Sequence, residues 1–171
     1  MNRRKIILIT VPVILLLLAS FLVYKIWSTT EAKEKIVAAT QYLPSIQLRK
    51  MDGSIFNTDS FKTNEKHLVL NYFNPECDHC QSMVQEMFRE QSLFKNVNWL
   101  MITSAAVEKT KRFADSMQLS QLQNVTVLND TASVFLKTFG TVSVPSFYVY
   151  KNGELLRKHS GECRVAYLVK E

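Results

Sequence analysis

Hydrophobic and polar positions divide the chain into three regimes. Ile6 to Tyr24 is a run of 19 residues without a charged side chain. As a helix it extends about 28 Å at 1.5 Å per residue, close to the hydrocarbon thickness of a bilayer. The run therefore predicts a membrane-spanning helix, and Pro12 is tolerable near its start. From Ser28 to Tyr42 the residues turn polar and charged, with Glu31, Lys33, Glu34 and Lys35. That stretch reads as a short helical tether. A third regime begins at Leu43-Pro44, where short apolar runs alternate with segments of helical period. The expected organisation is residues 1–27 as stub and anchor, 28–42 as tether, and 43–171 as one folded domain.

Within that domain, Ile46 to Lys50 and Ser54 to Asn57 flank Asp52-Gly53, a hairpin signal. His67 to Phe73 is an apolar strand. After it, Cys80, Met83, Val84, Met87, Phe88 and Gln91 recur at helical spacing, so a helix should run to about Phe94. Val97 to Ile102 is a second strand, followed by a helix over Glu108 to Met117 with Val107, Phe113, Ala114 and Met117 on one side. Val125 to Leu128 is a third strand. Thr131 to Phe139 is a helix with Val134, Phe135 and Phe139 inward, stopped by Gly140. Strands apolar on both faces, alternating with helices, imply a parallel sheet covered on both sides. Ser146 to Lys151 then alternates, Asn152-Gly153 is a tight turn, and Glu154 to His159 returns. A final helix is expected from about Glu162 to Lys170. The fold class is α/β: a mixed sheet flanked by helices, with a parallel part and an antiparallel edge.

Charge sharpens the placement. The net charge is +6, and Arg3, Arg4, Lys5 and Lys25 give the first 27 residues +4 with no acid. The remaining domain is near neutral, which gives no reason to expect nucleic-acid binding. Basic residues ahead of the apolar run keep the N-terminus in the cytoplasm, so the domain falls on the extracytoplasmic side of the cell membrane, held by a single pass. Tyr24, Lys25 and Trp27 suit the far interface. A cleaved signal peptide is the competing reading. Its apolar region has about 7–15 residues and ends in an Ala-x-Ala-like site, and this block is longer and lacks such a site. Either reading puts the cysteines in an oxidising compartment.

Three cysteines are too few for a disulfide scaffold, and odd in number. Two form the pair Cys77-Asp78-His79-Cys80 where the apolar strand becomes a helix. The first turn of a helix carries unpaired N–H groups and the positive end of the dipole. A thiol there loses its proton more easily, and the thiolate is the nucleophile. Cys77 falls at the helix start and Cys80 one turn later on the same side. Such a pair can close a disulfide and reopen it, with no cofactor or metal required. The chemistry is that of a thiol–disulfide oxidoreductase in which Cys77 attacks and Cys80 resolves the mixed disulfide. A protonated His79 would favour the Cys77 thiolate, whereas Glu76 and Asp78 would oppose it, each by about 1 kcal/mol. Two acids against one histidine argue for a reductant or mid-range exchanger. Asn71 reads as a satisfied buried amide and Cys163 as a small packing residue opening the last helix. His159 reads as an exposed strand residue, and Lys109, Lys111 and Arg112 as a solvated helix face.

Over roughly residues 43–171 the pattern resembles the thioredoxin superfamily, in particular the membrane-tethered bacterial branch typified by TlpA and ResA. The resemblance is carried by Cys77-Asp78-His79-Cys80, by Val142-Ser143-Val144-Pro145-Ser146-Phe147, and by the extra strand and helix from Val125 to Phe139. It implies a cis bond before Pro145 beside the active disulfide, with Val144 offering its backbone to a substrate chain. It also implies protein dithiol or disulfide substrates and a membrane-embedded dithiol carrier as electron donor. Two departures stand out. Glu76 replaces the tryptophan that many relatives carry. Asn71 occupies the position of a buried acid in thioredoxin, and an amide cannot accept a proton as a carboxylate can. The proton of Cys80 would then pass to Glu76, His79 or water. Three rival readings stand beside exchange. A peroxidase of the same fold would carry Thr where Asn74 stands. A copper or zinc module would ligate metal through Cys77, His79 and Cys80, with His159 and Cys163 completing the set. An adaptor would keep the fold without the activity.

Overall fold

A computed structural model describes residues 3–170. Arg3–Thr40 is a single 38-residue helix, α1, so the expected anchor and tether are continuous. Side chains up to Pro12, including Arg3, Arg4 and Lys5, lie outside the described residues, as does the start of the stub. From Val13 onward the helix is long and apolar enough to cross a membrane. Its large apolar side chains between Val13 and Trp27 are exposed, a surface that suits apolar lipid and not water. The chain divides into two compact units, Met1–Val37 and Ala38–Glu171.

The second unit holds one seven-stranded sheet. Its strands are β1 (Gln47–Lys50), β2 (Ile55–Asn57), β3 (His67–Tyr72), β4 (Val97–Thr103), β5 (Val125–Asn129), β6 (Ser146–Lys151) and β7 (Glu154–Ser160). They lie in the order β2-β1-β5-β4-β3-β6-β7. β3, β4 and β5 are parallel. Antiparallel strands flank them on both sides, with β1 against β5 and β6 against β3, where the sequence pattern suggests a single antiparallel edge. The helices are α2 (Asp78–Arg89), α3 (Val107–Ser116), α4 (Val134–Phe139) and α5 (Val165–Val169).

Alternation along β3 divides the core in two, because successive side chains point to opposite faces. Leu68, Leu70 and Tyr72 join Phe135, Phe139 and Tyr148 on one face. Val69 and Phe73 join Cys80, Met83, Val84 and Met87 on the other. Asn71, between Val69 and Phe73 in this alternation, falls on the cysteine face.

Three helix limits differ from the periodicity. α2 stops at Arg89 and a 3-10 turn, Gln91–Asn96, takes the chain to β4. α4 starts three residues late because the Asp130 carboxylate accepts the Val134 and Phe135 N–H groups, each at 2.8 Å. The segment between is a turn, with Ser133 at φ 53°. α5 is confined to Val165–Val169, which leaves Cys163 in the preceding loop.

Candidate active site

The site begins where β3 ends. Phe73 N–H continues the ladder to the Ile102 carbonyl at 2.9 Å. Asn74 then turns the chain: its side-chain oxygen accepts from Glu76 N–H at 3.0 Å, and its carbonyl accepts from Cys77 N–H at 3.1 Å. Cys77 is the N-cap of α2, in extended backbone conformation, and its side chain makes no capping bond. Its carbonyl accepts from Cys80 N–H at 3.0 Å and Gln81 N–H at 3.1 Å. The Cys77 thiol therefore sits at a helix N-terminus, half-buried, while Cys80 lies one turn in and only 2% exposed. Both are free thiols.

The loop before β6 meets this turn from across the fold. Cys77 Sγ lies 3.9 Å from the Val144 carbonyl oxygen. The Val144–Pro145 peptide bond is cis, and the Pro145 carbonyl accepts from Gly161 N–H at 2.8 Å. Beside Val144 runs a cleft of about 370 Å³ walled by Tyr72, Phe73, Thr103, Ala106 and Lys109. Glu76 and Lys109 also line a second cleft of about 340 Å³ on the α3 side.

The electrostatics are more paired than the sequence suggests. Burial, first of all, pushes the Cys80 thiol up to about 12; the neighbouring Cys77 and the charge of Glu162 add to it, against a backbone hydrogen bond at Asn74. Glu76 accepts from Lys109 Nζ at 2.8 Å, and that bond, with Arg112 nearby, holds its carboxyl below the usual range. Lys109 and Arg112 are thus part of the site's charge balance rather than a plain solvated face. His79 is exposed, and its Nδ1 is paired with the Glu162 carboxylate. Asp78 is exposed in the first turn of α2.

The remaining candidates resolve individually. Asn71 is buried as expected, yet its Oδ1 has no hydrogen-bond partner among the described residues, so the expectation of a satisfied amide fails at that atom. Cys163 is half-buried, with its backbone N–H against Met83 Sδ at 3.3 Å. Burial pushes its thiol up to about 11. His159 is not an exposed strand residue: it is half-buried between Phe147 and Tyr167, and its Nε2 lies 3.3 Å from the Glu162 carbonyl oxygen. Among the described residues, no group of three His, Cys, Asp or Glu side chains is arranged to hold a metal ion. Lys109 and Glu162 escape sequence reasoning because they stand 33 and 83 residues from their partners.

Several solved structures share this architecture. A secreted disulfide oxidoreductase of Mycobacterium tuberculosis, described as homologous to Escherichia coli DsbE, is 20% identical with a TM-score of 0.59; the match covers 74% of this chain and 88% of that one. DsbF of the same organism is 19% identical with a TM-score of 0.62, covering 78% and 93%. A thiol-disulfide oxidoreductase of Bacteroides fragilis is 18% identical with a TM-score of 0.58, covering 68% and 88%. Likeness at this level establishes the thioredoxin-like fold. No curated protein sequence matches the chain. The AhpC/TSA family matches residues 39–169, the whole sheet and every helix around it, and the chain accordingly belongs to the AhpC/TSA family.

Proposed function

We propose that the chain catalyses thiol–disulfide exchange on exported proteins through Cys77 and Cys80. One observation carries the reading: a half-buried thiol at the N-terminus of α2 faces the Val144 backbone, with a buried second thiol one turn behind it. In reduction, Cys77 attacks a substrate disulfide, forming a mixed disulfide and releasing one substrate thiolate. Cys80 then attacks Cys77 Sγ; the Cys77–substrate bond breaks, the second substrate thiolate leaves, and the Cys77–Cys80 disulfide remains. The reverse sequence oxidises a dithiol. Val144 and Pro145 border the attacking sulfur, and in this reading an extended substrate segment lies along them.

The charge balance supports a mid-range exchanger or reductant. Lys109 offsets Glu76 and His79 is hydrogen-bonded to Glu162, so Asp78 is the acid of the motif that stands against the Cys77 thiolate. Asn74, where a peroxidase would carry Thr, holds the turn through Glu76 N–H, which favours exchange over peroxide reduction. The apolar helix supports anchoring by a single pass. With Arg3-Arg4-Lys5 on the cytoplasmic side, the domain from about residue 43 would act outside, supplied with electrons by a membrane-embedded dithiol carrier.

The test is capture. Cys80→Ala in the full-length chain keeps the attacking thiol and removes the resolving one. Expressed in the native membrane, it should accumulate mixed disulfides with exported proteins that are released by reductant. If Cys80→Ala captures no more than the Cys77→Ser, Cys80→Ala double variant, exchange through Cys77 is excluded.

A further inference from the structure

Two clefts meet beside the attacking thiol. The first, bordered by Val144, and the second, on the α3 side, share Glu76 and Lys109 as a common wall. The shared wall makes them one groove. It starts where Val144 faces Cys77 Sγ at 3.9 Å. It passes the Glu76–Lys109 ion pair, 2.8 Å between the charged atoms, and ends against Arg112, Ser116 and Met117. Lys109, Arg112 and Ser116 recur at the spacing of one helix face. Phe113 is buried and tilted against Phe73 at 5.0 Å between ring centroids. That contact fixes the rotation of α3 against the strand that leads to Cys77.

The charged groups that line this groove are Glu76, Lys109 and Arg112. Asp78 of α2 and Glu108, Lys111 and Asp115 of α3 line neither cleft. Lys109 is committed to Glu76. Arg112 lies near enough to act on the Glu76 carboxyl, yet among the described residues it makes no hydrogen bond or ion pair of its own. Its guanidinium therefore leaves the groove with a positive charge that nothing along its walls matches. A guanidinium presents paired N–H donors in the geometry of a carboxylate, which a lysine ammonium does not. Lys111, the neighbouring cation on the same helix, is exposed as well but stands outside the groove, so the two cations differ in what they can reach.

We propose that this groove selects substrate proteins with an Asp or Glu close to the reacting cysteine, its carboxylate held by Arg112. The inference rests on exchange at Cys77 and names the substrate class for it. The distances suit a short extended segment. Glu76 adjoins Cys77 in the chain, and Arg112 stands about one helical turn, 5.4 Å, beyond Lys109. An extended segment advances about 3.3 Å per residue, so roughly three residues separate the acidic residue from the substrate cysteine. One arm of that segment lies along Val144 and Pro145. The other continues past Glu76 and Lys109 to Arg112, where the carboxylate completes the charge balance of the groove. A basic residue in the same place would meet Arg112 with like charge and compete with Lys109 for Glu76. The contact acts on binding and orientation and leaves the sulfur chemistry to Cys77 and Cys80.

The probes are peptides with a single cysteine joined by a disulfide to thionitrobenzoate. They carry Glu, Gln or Lys about three residues from the cysteine, on either side of it. Cys77 of the reduced full-length chain, in nonionic detergent, attacks the peptide sulfur; the S–S bond breaks and the coloured thiolate leaves. The colour gives a second-order rate constant for each peptide. On one side of the cysteine the parent should prefer Glu to Gln by about 2- to 5-fold, the size of an exposed ion pair, with Lys slowest. Added salt should narrow the spread. Arg112→Gln should bring the Glu-to-Gln ratio to about 1 and Arg112→Glu should turn the preference towards Lys, while Lys111→Gln should keep the parent ratio. A parent that takes all the peptides equally, or a ratio lost as fully in Lys111→Gln as in Arg112→Gln, overturns the groove's selectivity while exchange stands. Colour released no faster by the parent than by Cys77→Ser overturns exchange itself.

Discussion

On one face of the sheet, aromatic rings stack in a continuous layer: Tyr72 on Phe135 at 4.7 Å, Phe135 on Phe139 at 4.3 Å, and Phe139 against Tyr148 at 4.5 Å between centroids. On the other face, the layer under α2 is Cys80, Met83, Val84 and Met87 over Val69 and Phe73. It includes Asn71, whose buried oxygen lacks a hydrogen-bond partner among the described residues. β3 supplies both layers from alternate residues. The aromatic layer gains from specific ring geometry and large buried area. The sulfur-rich layer is softer and more adaptable, and it contains the thiol whose charge state must change during exchange. The contrast teaches that one strand can separate stability from chemistry simply by which way each side chain points.

The largest expected break in that contrast is Phe135→Ala. Phe135 is completely buried, and its truncation should cost about 3–5 kcal/mol in chemical denaturation. The molecules that remain folded should still react at Cys77 at the parent rate. A slowed Cys77 in folded molecules would mean the two faces are mechanically coupled.

Next in size is alkaline stability of the reduced protein. Cys80 has an ordinary value of 9.0 and is pushed up to about 12 in the fold. The folded state holds its proton more tightly than the unfolded chain, so this stabilisation is full below pH 9 and drains away as pH rises toward 12. Cys163, pushed up to about 11, drains over a similar window. Cys80→Ala should flatten the decline in melting temperature between pH 9 and 11, and Cys163→Ala should flatten it less. An identical slope in parent and Cys80→Ala would contradict the burial of that proton.

The smallest effect is expected at the rim. Lys109→Ala removes the partner that holds the Glu76 carboxyl below its usual range, so the Glu76 titration followed by NMR should move up. The Lys109–Glu76 pair contributes above the unfolded carboxyl value and fades as pH falls through the folded one. Both groups are exposed, so global stability should barely change, while the unbalanced carboxylate should modestly slow attack by Cys77. Faster attack would reverse the sign of the charge argument.

The sequence made the strands, the cysteine helix and the proline loop legible because each is a local signal. Continuous apolar runs, helical period after Cys77 and the Asn152-Gly153 turn need no tertiary context. Helix limits were less legible where a side chain intervened, as Asp130 does by capping α4 at Val134. The second antiparallel flank, β1 on β5, depends on strands distant in sequence. At the site, Cys77, Cys80, Val144 and Pro145 were visible as motif and resemblance. Glu162 and Lys109 were not, because nothing in the sequence near either residue signals a contact with the α2 turn.

The most direct test is redox titration. Full-length reduced chain in detergent is equilibrated with glutathione mixtures, denatured in acid, and its free thiols tagged and assigned by mass. Cys77 and Cys80 should disappear together in one two-electron transition, with Cys163 still taggable and a midpoint below about −120 mV, the value of a strong periplasmic oxidant. A Cys77 that takes up glutathione while Cys80 stays a free thiol at every ratio would contradict it.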